Sequence, residues 1–364
     1  MFSMDSARQA EACRFCWMCR HICPVANSTG NEAWTPRARG LMVSMVERGL
    51  EYTGEIAETM YHCTLCDACA NDCATGYKPS DFIREARTQA VVADVAPKAV
   101  MDTIERIIET KRIFPEPCAD DVIRNVLGAL PKKADVLLFA GQTATTVCPE
   151  IAIHAARLMQ NAGIEFTMLT EEPECGAFLS ELMGNTGEVQ SAASGVAGRI
   201  SAAGAKTVVV LNPADAVFMK DEYRQWGLLR DINVVTATEF FSGMMKQSGA
   251  PVPEKTLTAS LQEPVKLTRG LDETEPLKNL ISRSQIELRE FFLNGKMSRC
   301  IGTIPLYFYA PHVVREMVRV RCEDALRIGS RKIITASPDD YWIMSRFAYG
   351  GVEIHDLFSV LDKG

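Results

Sequence analysis

Apolar residues in the first third of the chain recur at helical spacing. After residue 135 they gather into short unbroken runs. Thr35 and Pro36 suit the cap and first turn of a helix that runs to about Arg48, with Leu41, Met42, Met45 and Val46 along one stripe. A second short helix leads through Ile56 and Met60. Residues 78–82 read as a turn and cap, with a helix expected from Asp81 to about Val92. Further on, Asp135-Val-Leu-Leu-Phe-Ala-Gly141 predicts a buried strand ending in glycine. An amphipathic helix from Pro149 to Asn161 follows, then a strand from Ile164 to Leu169 and another from Lys206 to Leu211. Strands alternating with helices imply a parallel sheet covered by helices.

This second pattern recurs. Residues 204–219, GAKTVVVLNPADAVFM, align without gaps on residues 329–344, GSRKIITASPDDYWIM, and the same offset of 125 carries Cys175 onto Cys300. An internal duplication is expected. The fold class is therefore α+α/β: a helical domain over 1–95, a helical connector over 96–130, and two related α/β modules over 131–250 and 251–364.

The chain has 364 residues and a net charge of −7, with 47% hydrophobic and 23% charged residues. These values indicate a globular protein without a broad nucleic-acid-binding surface. No apolar run reaches the ~18 residues that span a bilayer. The N-terminus lacks the basic-then-apolar order of a signal peptide. A cytoplasmic location is expected, peripheral to a membrane at most through partners. The cysteines sharpen this picture: there are 13, and eight fall within the first 73 residues. Thiols clustered in a reducing compartment indicate metal.

Cys13-Arg-Phe-Cys16-Trp-Met-Cys19-Arg-His-Ile-Cys23-Pro24 and Cys63-Thr-Leu-Cys66-Asp-Ala-Cys69-Ala-Asn-Asp-Cys73-Ala74 both read C-x2-C-x2-C-x3-C. Two-residue gaps let one tight loop bring three thiolates to one face of an iron–sulfur cube, and the fourth cysteine starts a segment that leads to the other cube. The expected ligand sets are crossed. Cys13, Cys16, Cys19 and Cys73 would hold one [4Fe–4S] cluster, and Cys63, Cys66, Cys69 and Cys23 the second. The competing readings are zinc, which prefers two separated C-x2-C pairs, and disulfides, which need an oxidising compartment.

With the Thr35-Pro36-Arg37-Ala38-Arg39 helix start between its two cysteine runs, the chain resembles a known superfamily. Its members include the iron–sulfur subunits of glycolate oxidase, of anaerobic glycerol-3-phosphate dehydrogenase and of lactate-utilisation complexes, and the heterodisulfide reductase subunits of methanogens. The resemblance implies that two copies of a cysteine-rich module, called CCG, follow the cluster domain. Here most of their cysteines are replaced. In the first module the strand-end cysteine gives way near Gln142, Glu174-Cys175-Gly176 stands for Cys-Cys-Gly, and Asn212-Pro213-Ala214-Asp215 stands for Cys-Pro-x-Cys. In the second, Glu263-Pro264-Val265 replaces Asp-Pro-Cys, Cys300-Ile301-Gly302 replaces Cys-Cys-Gly, and Ser337-Pro338-Asp339-Asp340 replaces Cys-Pro-x-Cys. One cysteine per module cannot ligate a four-iron cluster, so catalytic disulfide chemistry is not carried over. The oxygen donors leave room for a hard cation.

The resemblance further implies an electron-transfer subunit of a multisubunit dehydrogenase. Single electrons would come from an FAD-containing subunit of 2-hydroxy-acid or glycerol-phosphate dehydrogenase type. They would pass to a quinone-linked, ETF-like or ferredoxin-like acceptor. The alternative is a catalytic heterodisulfide- or quinone-reducing subunit with a third cluster in the modules.

No G-x-G-x-x-G, G-x4-G-K-[ST] or G-x-S-x-G occurs, so neither a nucleotide cofactor nor a hydrolase elbow is signalled. His21 and His62 flank cluster cysteines and are candidates to hydrogen-bond sulfur. His154 and His312 read as core or surface residues without an acidic partner in motif spacing. Cys118, Cys148 and Cys322 read as small buried hydrophobes, although Cys148 lies near the first module's loop. Gly195 and Gly198 read as packing positions in a small-residue helix, and Trp17 and Trp34 as cluster shields or plain core. Arg14, Arg20, Arg37 and Arg39 serve either local charge balance or a basic rim that docks a partner.

Overall fold

A computed structural model describes residues 2–13, 16–248 and 253–362. The N-terminal part is helical. Short helices at Met4–Glu11, Met18–Ile22, Pro24–Thr29, Pro36–Glu47, Gly54–Tyr61 and Ala68–Asn71 lead into longer ones at Pro79–Val92 and Lys98–Thr110. Thr35 caps its helix as expected, its hydroxyl accepting from the Ala38 N–H at 3.2 Å, with Pro36 in the first turn. The helix expected from Asp81 begins earlier, at Pro79, because a proline in the first turn forfeits no helical hydrogen bond.

Eight strands form two four-stranded parallel sheets. β1 (Val136–Phe139), β2 (Phe166–Thr167), β3 (Thr207–Val210) and β4 (Asn233–Thr236) lie in the order β2-β1-β3-β4. β5 (Leu257–Gln262), β6 (Ile286–Leu288), β7 (Lys332–Thr335) and β8 (Glu353–Asp356) lie in the order β6-β5-β7-β8. The strand order is thus the same in both. β1 pairs with β3 from Val136–Thr207 to Phe139–Val210, and β5 with β7 from Ser260–Ile333 to Gln262–Thr335. Leu137, Leu138, Val208, Val209 and Ile333 are fully buried, as a parallel sheet covered on both faces requires. β1 and β5 each run into a π-helical turn, Thr143–Val147 and Lys266–Gly270, which the residue pattern did not signal.

Two sequence expectations change. The strand expected over residues 164–169 shrinks to Phe166–Thr167, paired only with Val136 and Leu137. The chain beyond it turns so that the Glu172 carboxylate accepts from the Ala140 and Gly141 N–H groups at 3.1 and 2.7 Å, at the end of β1. Gly195 and Gly198 are exposed on the helix Gly187–Ala202 and have open space where a Cβ would stand, so they are not packing positions. Val189, Ala193, Val196 and Ile200 carry the buried face instead. No helix among the described residues is long and apolar enough to cross a membrane.

Gly302 needs its glycine. Its φ is +118°, and a Cβ there would lie 2.8 Å from the Val314 side chain. Gly302→Ala is expected to lose about 1–3 kcal/mol of stability through strain and overpacking. Gly198→Ala, in an open helix interior, is expected to gain about 0.5–1 kcal/mol. Urea unfolding of both variants checks the contrast, and equal effects would refute it.

Candidate metal centre

The two cysteine runs fold alike. Trp17 and Asp67, each directly after the second cysteine of its run, take left-handed φ values of 68° and 55° and start the short helices that carry Cys19 and Cys69. A non-glycine residue in that region costs about 1 kcal/mol or more, so surrounding contacts must hold the turn.

Cys23, Cys63, Cys66 and Cys69 line one cavity of about 380 Å³, partly open to solvent, together with Pro24, Val25, Pro36, Leu65 and Pro79. Arg39, Asp67 and Ser80 also line it, and Arg39 Nη2, Asp67 Oδ1 and Ser80 Oγ are buried without a hydrogen-bond partner. Two of these orphans are donors, which match sulfur acceptors. The Leu65 N–H donates to Cys63 Sγ at 3.3 Å. Among the described residues no three Cys, His, Asp or Glu side chains converge on a single ion. The four thiols surround a volume instead, and the donor set fits an iron–sulfur cube.

At the other set, Cys16 is exposed, while Cys13, Cys19 and Cys73 are half-buried. Arg14 and Phe15, between Cys13 and Cys16, lie outside the described residues. Cys73 Sγ is 3.2 Å from Thr75 Oγ1, which donates to the carbonyl of Ala12, the residue before Cys13. Burial pushes the Cys19 thiol up to about 11, and its neighbours Cys13, Cys23 and Cys16 add to the shift. The end of each run therefore reaches the start of the other.

The surrounding side chains separate by role. Trp34 stacks on His62 with ring centroids 3.7 Å apart, and Tyr309 meets the same imidazole edge-on at 5.0 Å. His62 Nδ1 is 2.9 Å from the Glu58 carbonyl, and burial lowers its pKa to about 4, so the ring is neutral. Trp17 is 45% exposed and carries the Arg37 guanidinium 3.7 Å above its ring, so it is not plain core. Arg39 is buried and donates to the Thr59 carbonyl at 2.8 Å, and Arg20 pairs with Glu32, so these two do not form a free basic rim. Cys148 and Cys322 are buried, but Cys118 is half-exposed and bonds Asp120 Oδ1 and the Thr145 carbonyl. His154 does have an acidic partner, Asp362 at 2.8 Å, which no local spacing could reveal.

Two links tie the second cysteine loop to the α/β part. The buried Arg87 donates to the carbonyls of Met60, Cys63 and Glu181. Arg269 donates to the Cys66 carbonyl at 2.5 Å and to the Lys296 and Ser298 carbonyls. The buried Cys300 thiol donates within its own loop, to the Gly302 carbonyl at 3.5 Å. Residue spacing gave no sign of the contacts from Arg87 to Glu181 and from Arg269 to Cys66, which join positions 94 and 203 apart.

Behind them a cleft of about 670 Å³, partly open to solvent, lies between the two sheets. Asn212 and Asp215 follow β3, and Asp339 follows β7. The Asn212 amide donates to Asp215 Oδ2 at 3.4 Å and to Asp339 Oδ2 at 3.3 Å, and the Thr143 hydroxyl donates to Asp339 Oδ1 at 2.5 Å. Cys175 donates to Asp215 Oδ1 at 3.3 Å. Burial, reinforced by repulsion from Asp339, pushes Asp215 up to about 8, and burial raises Asp339 to about 6. Lys266 and Glu181 form an ion pair in the wall. Asp215 and Asp340, at matching positions of the two aligned segments, both line the cleft.

A family of 4Fe–4S dicluster domains matches residues 9–77. The iron–sulfur subunit of glycolate oxidase from Escherichia coli (strain K12) is 23% identical over 188 residues, covering 46% of this chain and 46% of that protein. One subunit of the dihydromethanophenazine:CoB–CoM heterodisulfide reductase from Methanosarcina acetivorans is 24% identical over 300 residues, 78% of this chain and 72% of that protein. A probable membrane-anchored ferredoxin from Chromohalobacter salexigens is 23% identical over 258 residues, 68% of this chain and 38% of that protein. The match thus spans about half the length of the glycolate oxidase subunit.

The raised Asp215 pKa has a stability consequence. A carboxyl that holds its proton more tightly when folded gives most stability at low pH and loses it as pH rises from the ordinary carboxyl range through about 8. Asp215→Asn removes that titration. Its urea midpoint is expected to fall less than that of the wild type between about pH 5 and pH 8.5. Parallel pH profiles would show that Asp215 does not titrate in this way.

Proposed function

We propose that this chain, which carries a 4Fe–4S dicluster domain and is related to the iron–sulfur subunits of glycolate oxidase and heterodisulfide reductase, relays single electrons inside a multisubunit oxidoreductase. The chemistry on the organic substrate belongs to a partner, an FAD-containing subunit of 2-hydroxy-acid or glycerol-phosphate dehydrogenase type. The work takes place in the cytoplasm. The supporting observation is the crossed approach of the cysteines: Cys23 lines the cavity of Cys63, Cys66 and Cys69, while Cys73 lies beside the start of the first run.

Cys13, Cys16, Cys19 and Cys73 hold one [4Fe–4S] cluster, and Cys63, Cys66, Cys69 and Cys23 hold the other. Bound there, the clusters supply one-electron storage and transfer. Arg39 and Ser80 donate hydrogen bonds toward the second set, and the prolines and Leu65 exclude water. Cys16, Trp17 and Met18 form an exposed edge at the first set, where the flavin partner docks. The helical domain spans 1–95 and the connector 96–130. Modules 131–250 and 251–364 descend from one duplicated CCG unit that lost its cluster ligands and kept its loops, supported by the shared strand order of their sheets.

The wild type is expected to hold about eight irons per chain. Cys66→Ser and Cys23→Ser should lose the same EPR signal, Cys73→Ser and Cys13→Ser the other, each with about four irons remaining. Loss of one common signal in Cys66→Ser and Cys73→Ser would contradict the crossed assignment.

A further inference from the structure

Three guanidiniums surround the second cysteine set. Arg39, on the helix Pro36–Glu47, lines its cavity. Arg87, on the helix Pro79–Val92, donates to the Cys63 carbonyl. Arg269, in the π-helical turn after β5, donates to the Cys66 carbonyl at 2.5 Å. Arg39 and Arg87 are buried, and Arg269 is half-buried. Nη2 of Arg39 and Nη2 of Arg269 are buried atoms without a hydrogen-bond partner.

Among the described residues, none of these three charges is paired with a carboxylate. Their hydrogen bonds go to backbone carbonyls: Thr59 for Arg39, then Met60, Cys63 and Glu181 for Arg87, and Cys66, Lys296 and Ser298 for Arg269. The Glu181 carboxylate is taken by Lys266. Asp67 lines the same cavity and offsets one of the three charges. Carbonyls satisfy the N–H groups, but they bring no opposite charge, and a buried cation needs one. An iron–sulfur cube held by four thiolates is anionic, and each added electron makes it more so. The first set is surrounded differently. Cys16 is exposed, and the neighbouring Arg20 pairs with Glu32, both about half-exposed, so water screens that pair. Arg37 lies over the exposed ring of Trp17.

We infer that Arg39, Arg87 and Arg269 make the second cysteine set the higher-potential of the two cluster sites, so that an electron entering at the exposed first set settles at the second. The inference rests on the ligand sets proposed above. Two effects oppose each other. Water favours the added negative charge at the first set, and the guanidiniums favour it at the second. The guanidiniums prevail because they are unit charges held against the ligand loop where screening is weak. Water reaches the first set from one side only, since Cys13, Cys19 and Cys73 are half-buried. The step moves one electron. A reduced cluster at Cys13, Cys16, Cys19 and Cys73 is oxidised while the one at Cys63, Cys66, Cys69 and Cys23 is reduced. No bond is made or broken, and no proton is required, because the guanidiniums already supply compensating charge. Arg39 lies in the cavity itself and carries the largest share.

A redox titration of the iron-loaded full chain, followed by EPR, tests the order. The signal missing from Cys66→Ser is expected to appear first in the wild type. Its midpoint is expected to lie about 59 mV or more above the other, a tenfold preference for the second site. Arg39→Gln is expected to lower that midpoint by about the same amount, Arg269→Gln by less, and both leave the other midpoint in place. Arg39→Lys, which keeps the charge, is expected to retain the wild-type order. If Arg39→Gln fails to load iron, the half-buried Arg269→Gln decides. First appearance of the signal missing from Cys73→Ser, or an unchanged midpoint in every glutamine variant that loads, overturns the inference and leaves the ligand sets standing. A wild-type chain with only about four irons and one EPR signal overturns the ligand assignment and the inference with it.

Discussion

The buried guanidinium of Arg87 donates to three carbonyls from separate stretches of chain: Met60 at the end of a short helix, Cys63 in the second cysteine loop, and Glu181 in a helix beyond β2. A planar group with five donors in a fixed fork can join such points rigidly. An unpaired charge in the same place would be severely destabilising. The second cysteine loop is thus held in shape from outside the helical part. Arg269 grips the Cys66 carbonyl from the other sheet's side in the same way. The helical part has a small core of its own, with Val43, Met60, Phe82 and Ile83 among its buried members. Small cores stabilise little. External clamping also accounts for left-handed Leu65 and Asp67 within the loop. It gives the α/β units a structural task at the second cysteine loop.

Exposure then sets a direction. The first cysteine set presents Cys16, Trp17 and Met18 to solvent, whereas Arg87 and Arg269 hold the loop of the second against the α/β units. The two sets lie close because Cys19 and Cys23, four residues apart around one short helix, are assigned to different sets, as are Cys69 and Cys73. About one helical turn, ~5.4 Å of rise, separates each such pair.

Local chemistry was legible in the sequence. The Thr35 cap, the helix Pro149–Asn161 and the strands at Val136–Phe139 and Thr207–Val210 follow from neighbouring residues alone, and the structure has all of them. The strand around Phe166 was overextended, because its end is set by Glu172 reaching across to β1 rather than by its own apolar run. Gly195 and Gly198 read as packing from composition, while the helical phase turns them to solvent. The cysteine motifs were readable because their spacing encodes the loop. The cleft was not, because its walls come from residues 113 to 340 and meet only when the two sheets face each other. The links made by Arg87 and Arg269 were hidden for the same reason.

The proposed electron relay requires two cubane clusters side by side, each completed by the last cysteine of the other's run. Stepwise reduction followed by EPR reads out that arrangement, because neighbouring paramagnets broaden and split each other's signals. A simple cubane spectrum at partial reduction is expected to turn into a broadened, interacting spectrum at full reduction, with about eight irons per chain. A spectrum that keeps one unsplit line shape from the first electron to the last would overturn the paired-cluster reading.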